Sequence, residues 1–87
     1  IKNQTGESME IFHFIIRLDE QKEITDQLAD DIYTSGCSDS IVGSIGESVF
    51  VEFDREGRIY EEALASALED LSKIPYLFNK MSVVDEI

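Results

Sequence analysis

The feature that most constrains this chain is the order in which its hydrophobic spacing changes. Over residues 9–18, "MEIFHFIIRL", apolar side chains fall on alternate positions, and Ile24, Leu28 and Ile32 then recur every fourth residue. The spacing returns to two in "SIVGSI" (40–45) and "SVFVEF" (48–53), then to three and four at Leu64, Leu68 and Leu71. A period of two belongs to a strand with a face on a core, and a period near 3.6 to an amphipathic helix. A last short run, "YLFNKM" (76–81), reads as a strand. The order β-α-β-β-α-β is the split βαβ, or ferredoxin-like, arrangement of the α+β class. Right-handed crossovers place both helices on one face of a four-stranded antiparallel sheet.

Local signals set the expected boundaries. In the first strand Phe12, Phe14, Ile16 and Leu18 share one face, and Ile11, His13, Ile15 and Arg17 the other. Two largely apolar faces predict a central strand. The first helix is expected over 19–36, with Asp19 as N-cap, Glu20 and Glu23 at the positive end of the dipole, and Gly36 at the C-terminus. Gly46-Glu47 reads as a tight hairpin turn. Beyond it Val49, Val51 and Phe53 face one way, Phe50 and Glu52 the other. "DREGR" (54–58) is expected to be a loop. The second helix is expected over 59–74, with Ala63 and Ala67 beside the leucine stripe, and Pro75 ends it.

Eighty-seven residues make one domain. "IKNQTGES" (1–8) reads as a linker or cloning scar ahead of a natural start at Met9, leaving 9–87 as the domain. Two readings stay open for "SVVDEI" (82–87). Ser82 caps a helix that begins a following domain, or residues 82–84 extend the last strand. No apolar run approaches the roughly 18 residues of a membrane span, and no signal-peptide pattern is present. A single cysteine fits a reducing cytoplasmic compartment.

Nineteen acids against seven bases give a net charge of −12. Such a surface repels nucleic-acid phosphates and anionic membranes, and it suits a basic protein partner. The stretch "GCSDSIVGSIGESVFVEFDREG" (36–57) gathers the residue types of an active site, but the chemistry is wrong for one. Acidic neighbours raise the pKa of Cys37 rather than lower it, so a half-buried structural cysteine is expected. The glycines match neither a dinucleotide fingerprint nor a P-loop. Asp54-Arg55-Glu56 reads as a connection in which an acid caps the next helix and Arg55 pairs locally. His13 is the only histidine and is expected to pack. Asp30-Asp31 and Glu61-Glu62 are adjacent on helices and point about 100° apart, so neither is an acid–base pair. The expectation is no catalytic residue, no metal and no cofactor.

One surface is harder to assign to solvent. With Phe12, Phe14, Ile16, Val49, Val51 and Phe53 turned to the helices, the opposite sheet face carries Ile11, His13, Ile15 and Phe50, joined by Tyr76 or Phe78 of the last strand. Exposed apolar patches of several hundred Å² mark interfaces. RNA-binding sheets surround their aromatics with cations, whereas this face has only His13, Arg17 and Lys80 to draw on.

"FHFIIRLD", "SGCSDSIVG", "VFVEFDREG" and "EEALASALEDLSKI" together resemble the N-terminal βαββαβ domain of small, mostly uncharacterised bacterial regulators or antitoxin-type proteins. In that family the region precedes a helix-turn-helix of MerR type. The resemblance covers about residues 9–74, and its most specific pieces are Gly36-Cys37 and Phe53 to Glu56. It implies a dimerisation or sensor module. DNA binding is not carried over, because residues 1–87 stop where such helices would begin. The expected function is a non-catalytic interaction module that forms a homodimer and binds a protein partner. The alternative is a stand-alone acidic inhibitor of a basic nucleic-acid-handling enzyme.

Overall fold

The computed structural model describes residues 9–84. The expectations for residues 1–8 and 85–87 lie outside the described residues. The elements are β1 (Glu10–Leu18), α1 (Asp26–Thr34), β2 (Ser40–Ile45), β3 (Ser48–Gly57), α2 (Tyr60–Ser72), a 3-10 turn (Pro75–Leu77) and β4 (Met81–Val84). The sheet order is β2-β3-β1-β4, with every pair antiparallel. This is the expected ferredoxin-like α+β fold, with β1 central.

One core lies between the sheet and the helices. Ile16, Val49, Val51 and Phe53 are sealed on the inner sheet face, against Leu28 and Ile32 of α1 and Ala63, Ala67 and Leu71 of α2. Phe14 stacks on Phe53 at 5.3 Å between centroids, and Tyr60 meets Phe14 edge-on at 5.9 Å. Leu64 and Leu68 pack at the sides of the α2 contact, whose centre is held by Leu71 and the two alanines. The small alanine side chains let the helix approach closely. A Cβ on Gly57, at the end of β3, would stand 3.0 Å from the Cβ of Ala63.

Three boundaries depart from expectation, each for a physical reason. First, α1 begins at Asp26, and its N-cap is Thr25, whose hydroxyl accepts the Leu28 N–H at 3.1 Å. Asp19 does not cap it, because Asp19 ties the end of β1 to β4. The Asp19 N–H donates to the Lys80 carbonyl at 2.9 Å, and the carboxylate accepts from Ser82 Oγ at 2.8 Å and Arg17 Nε at 3.1 Å. Ile24 therefore precedes the helix and is exposed. The C-terminus is as expected. Gly36 has φ +111, its N–H donates to the Tyr33 carbonyl, and the Cys37 N–H donates to that of Ile32. This is the Schellman closure, with Cys37 and Ile32 both buried.

Second, the expected loop at 54–58 is mostly strand. β3 continues to Gly57 because β1 begins at Glu10 and pairs with it throughout, Asp54 opposite His13 and Glu56 opposite Ile11. The side chains alternate, so Asp54 and Glu56 point outward and Arg55 points in. The hairpin before it is as expected, with Gly46 at φ 60 in the first turn position.

Third, residues 75–77 form a 3-10 turn in place of the expected start of the last strand. Leu77 is buried, Asn79 at φ 61 redirects the chain, and β4 then pairs Met81 with Leu18 and Val84 with Ile15. Ser82 thus sits inside a strand and caps no helix.

Candidate protein-interaction surface

The outer face of the sheet can be read row by row from its register. Ile41, Glu52, Ile15 and Val84 form one row, and Gly43, Phe50, Arg17 and Ser82 the next. Asp54 and His13 form a third, Glu56 and Ile11 a fourth, and Ile45 lies opposite Ser48.

This arrangement divides the expected interface residues. Ile11 lies on the outer face and is 61% exposed. Phe50 is there too, half-buried. Ile15 is on that face but only 7% exposed, since Glu52 and Val84 flank it on both sides. His13 does not pack. Its Nδ1 lies 2.8 Å from Asp54 and its Nε2 3.1 Å from Glu52. The hydrogen bond to Asp54, aided by the nearby carboxylate charges, raises its pKa above the ordinary value. Tyr76 and Phe78 are not on the sheet, because the chain there is a 3-10 turn and its exit. The Tyr76 hydroxyl donates to Asp31 of α1 at 2.5 Å, and its pKa is pushed up to about 12 by burial and that bond.

Besides Ile11, β2 adds two exposed isoleucines to the outer face that were not expected there, Ile41 at 70% and Ile45 at 58%. They flank Gly43, and Phe50 lies directly across from that glycine. The residues were legible. A two-residue turn at Gly46-Glu47 pairs Ile45 with Ser48, so counting back in twos puts Ile41, Gly43 and Ile45 on the face of Phe50.

Toward the opposite end of β3, on the inner face, sits the one buried charged residue among those described, Arg55, 7% exposed. Its Nε and Nη2 grip Asp39 at 2.8 and 3.0 Å. Its Nη1 donates to Asp70 at 2.9 Å and Ser66 at 3.3 Å, and Nη2 to the Gly36 carbonyl at 2.9 Å. All the N–H donors of a guanidinium are thereby used. The cation also lies 5.1 Å from the Phe53 ring centre. Its pKa is raised by Asp39 first, and Arg55 in turn holds the Asp39 carboxyl below its usual range. Arg55 is therefore a clamp joining the end of α1, the start of β2, β3 and α2. The expected local pairing is corrected, since its partners lie 11 to 19 residues away in sequence. The expected acidic cap takes a different form. Glu62, inside α2, reaches back to the Arg58 N–H at 2.8 Å.

The clamp floors an open depression of about 590 Å³ lined by Asp39, Asp54, Glu56 and Asp70 among others. Cys37 is 2% exposed, and burial raises its thiol pKa. Ser35 Oγ donates to the Cys37 sulfur at 3.6 Å. Among the described residues no group of three or more His, Cys, Asp or Glu is placed to hold a metal ion, and no helix is long and apolar enough to cross a membrane. What the geometry offers is surface: an apolar patch on an end strand, and an acidic depression. Compared with known proteins, the chain matches no family model, no curated protein and no solved structure.

Proposed function

We propose that this domain is a non-catalytic protein-association module that self-associates, the dimerisation part of a small regulator or antitoxin of the kind its sequence resembles. One observation carries the reading: Ile41, Ile45 and Phe50 form an apolar patch on a sheet face that none of the described elements covers. Exposed apolar area of this kind is stabilised by burial against a partner. Sedimentation velocity over a micromolar to millimolar series tests it. The unmodified chain is expected to shift from monomer to dimer, while Ile45→Asp combined with Phe50→Asp stays monomeric with an unchanged far-ultraviolet dichroism spectrum. A chain that is monomeric throughout the series refutes the reading.

The acidic depression favours a second reading, the stand-alone inhibitor of a basic nucleic-acid-handling enzyme. Four carboxylates line it, and its one guanidinium is fully engaged. That reading expects affinity for a basic protein that falls steeply with salt. A salt-independent affinity would remove it.

A further inference from the structure

We infer that self-association proceeds by edge-to-edge pairing of β2 with β2 of a second copy, giving one continuous eight-stranded sheet; the inference rests on the association reading above. β2 is an end strand of the sheet. The Asp54 N–H donates to the Asp39 carbonyl at 3.2 Å, and the two residues lie opposite in register. Backbone groups in an antiparallel ladder alternate between the two sides of a strand. Counting from Asp39, the groups of Ile41, Gly43 and Ile45 therefore face β3, and those of Ser40, Val42 and Ser44 face outward. Protein edges are ordinarily guarded by charge, proline or a bulge. β2 reads Ser-Ile-Val-Gly-Ser-Ile, with neither charge nor proline, in a chain with 19 acids.

Gly43 is the second observation. Glycine inside a strand weakens it and often marks the close approach of another backbone. Here nothing among the described residues requires it. Its φ is not positive, and a Cβ built on it would meet nothing within 4 Å. What the glycine leaves is open room on the end strand, into which a second chain can fit.

A second copy answers both observations. The register with its two-fold axis at Val42 pairs all three outward-facing residues, Val42 with itself and Ser40 with Ser44. It sets Ile41 of one copy directly opposite Gly43 of the other. Phe50, across the same glycine within its own chain, then meets that isoleucine over the vacant side-chain position, and the two apolar patches join across the boundary. Asp39 falls opposite Ile45, so no acid of β2 or its flank faces another acid despite the charge of −12.

The test is backbone amide hydrogen exchange by NMR at low and high protein concentration, beside sedimentation of Ser44→Pro. That variant removes an outward N–H and leaves the β2–β3 ladder bonds in place. The expected result is that exchange at Ser40, Val42 and Ser44 slows by about tenfold or more on dimerisation, and that Ser44→Pro is monomeric. If Ser44→Pro does not fold, the exchange result on the unmodified chain decides alone. A dimer in which those three amides exchange as fast as in the monomer overturns the edge pairing and leaves the association reading standing. A monomer at every concentration overturns both. Protection of the same amides only on adding a basic peptide overturns the second copy as occupant.

Discussion

Arg55 shows how a single residue is fixed by groups far from it in sequence. A buried guanidinium is tolerated only with its donors satisfied and its charge opposed, and here two carboxylates, a hydroxyl and a carbonyl do both. Removing it leaves Asp39 and Asp70 facing each other without the cation. Because both carboxylates keep access to water, the loss belongs at the lower end of the range for breaking a buried pair. Arg55→Met is expected to cost about 3 kcal/mol in urea unfolding near neutral pH. Arg55→Lys recovers little of that loss, since an ammonium cannot grip Asp39 with two parallel bonds. The pH dependence has a definite sign. The Asp39 carboxyl is held low in the folded state by Arg55. Its contribution is therefore present above the ordinary carboxylate pKa and is lost as pH falls through the folded value. Stability of the unmodified chain should fall across that acid range more steeply than that of Arg55→Met. None of this was legible in "DREGR". A run of charges in sequence carries no sign of which member turns inward, and that is decided by whether β3 extends.

At the level of elements, the sequence shows which segments are helix or strand more clearly than where they stop. Periodicity survives burial on one face, so β1, β2 and α2 are close to their expected spans. Ends are set by competition for a few polar groups. Asp19 has the chemistry of an N-cap, yet β4 claims it, and Thr25 caps α1 instead. Residues 54–57 look like a loop by composition, yet β1 runs opposite each of them in register. The contact between β3 and α2 is where close packing is most demanding. Gly57→Ala would place a Cβ 3.0 Å from that of Ala63, so helix or strand must shift. Overpacking of this kind costs about 1–3 kcal/mol. Ala63→Gly should relieve the side-chain part of it, leaving the Ala63 N and Cα at 3.1 and 3.3 Å, at the expense of helix propensity. A double-mutant cycle by chemical denaturation is expected to show Gly57→Ala less harmful in the Ala63→Gly background. Additive effects would mean that the two side-chain positions do not meet.

For the whole molecule, charge and topology act on different questions. The order of hydrophobic periods is enough to specify a βαββαβ sheet with β1 at its centre, because few topologies satisfy short, right-handed connections. The same pattern says little about which part of the outer face is wet. Ile15 looked exposed and is covered by its neighbours, whereas Ile41 and Ile45 depended on a register that only the hairpin defines. Charge is insensitive to such details. A ferredoxin-like sheet with an open face is a shape on which nucleic acid can lie, but association with a duplex is driven by cations that displace condensed counterions from phosphates. Here the described cations on the sheet strands are paired with acids. Arg55 is enclosed by Asp39 and Asp70, Arg17 is paired with Asp19, and His13 lies between Asp54 and Glu52. A net charge of −12 opposes approach from any direction. Residues 1–87 are therefore expected to show no binding to a fluorescent DNA duplex by anisotropy near physiological salt, and none at lower salt, where attraction would be strongest if it existed. Micromolar binding that weakens as salt rises would mean that the few cations act together on a surface whose total charge conceals them.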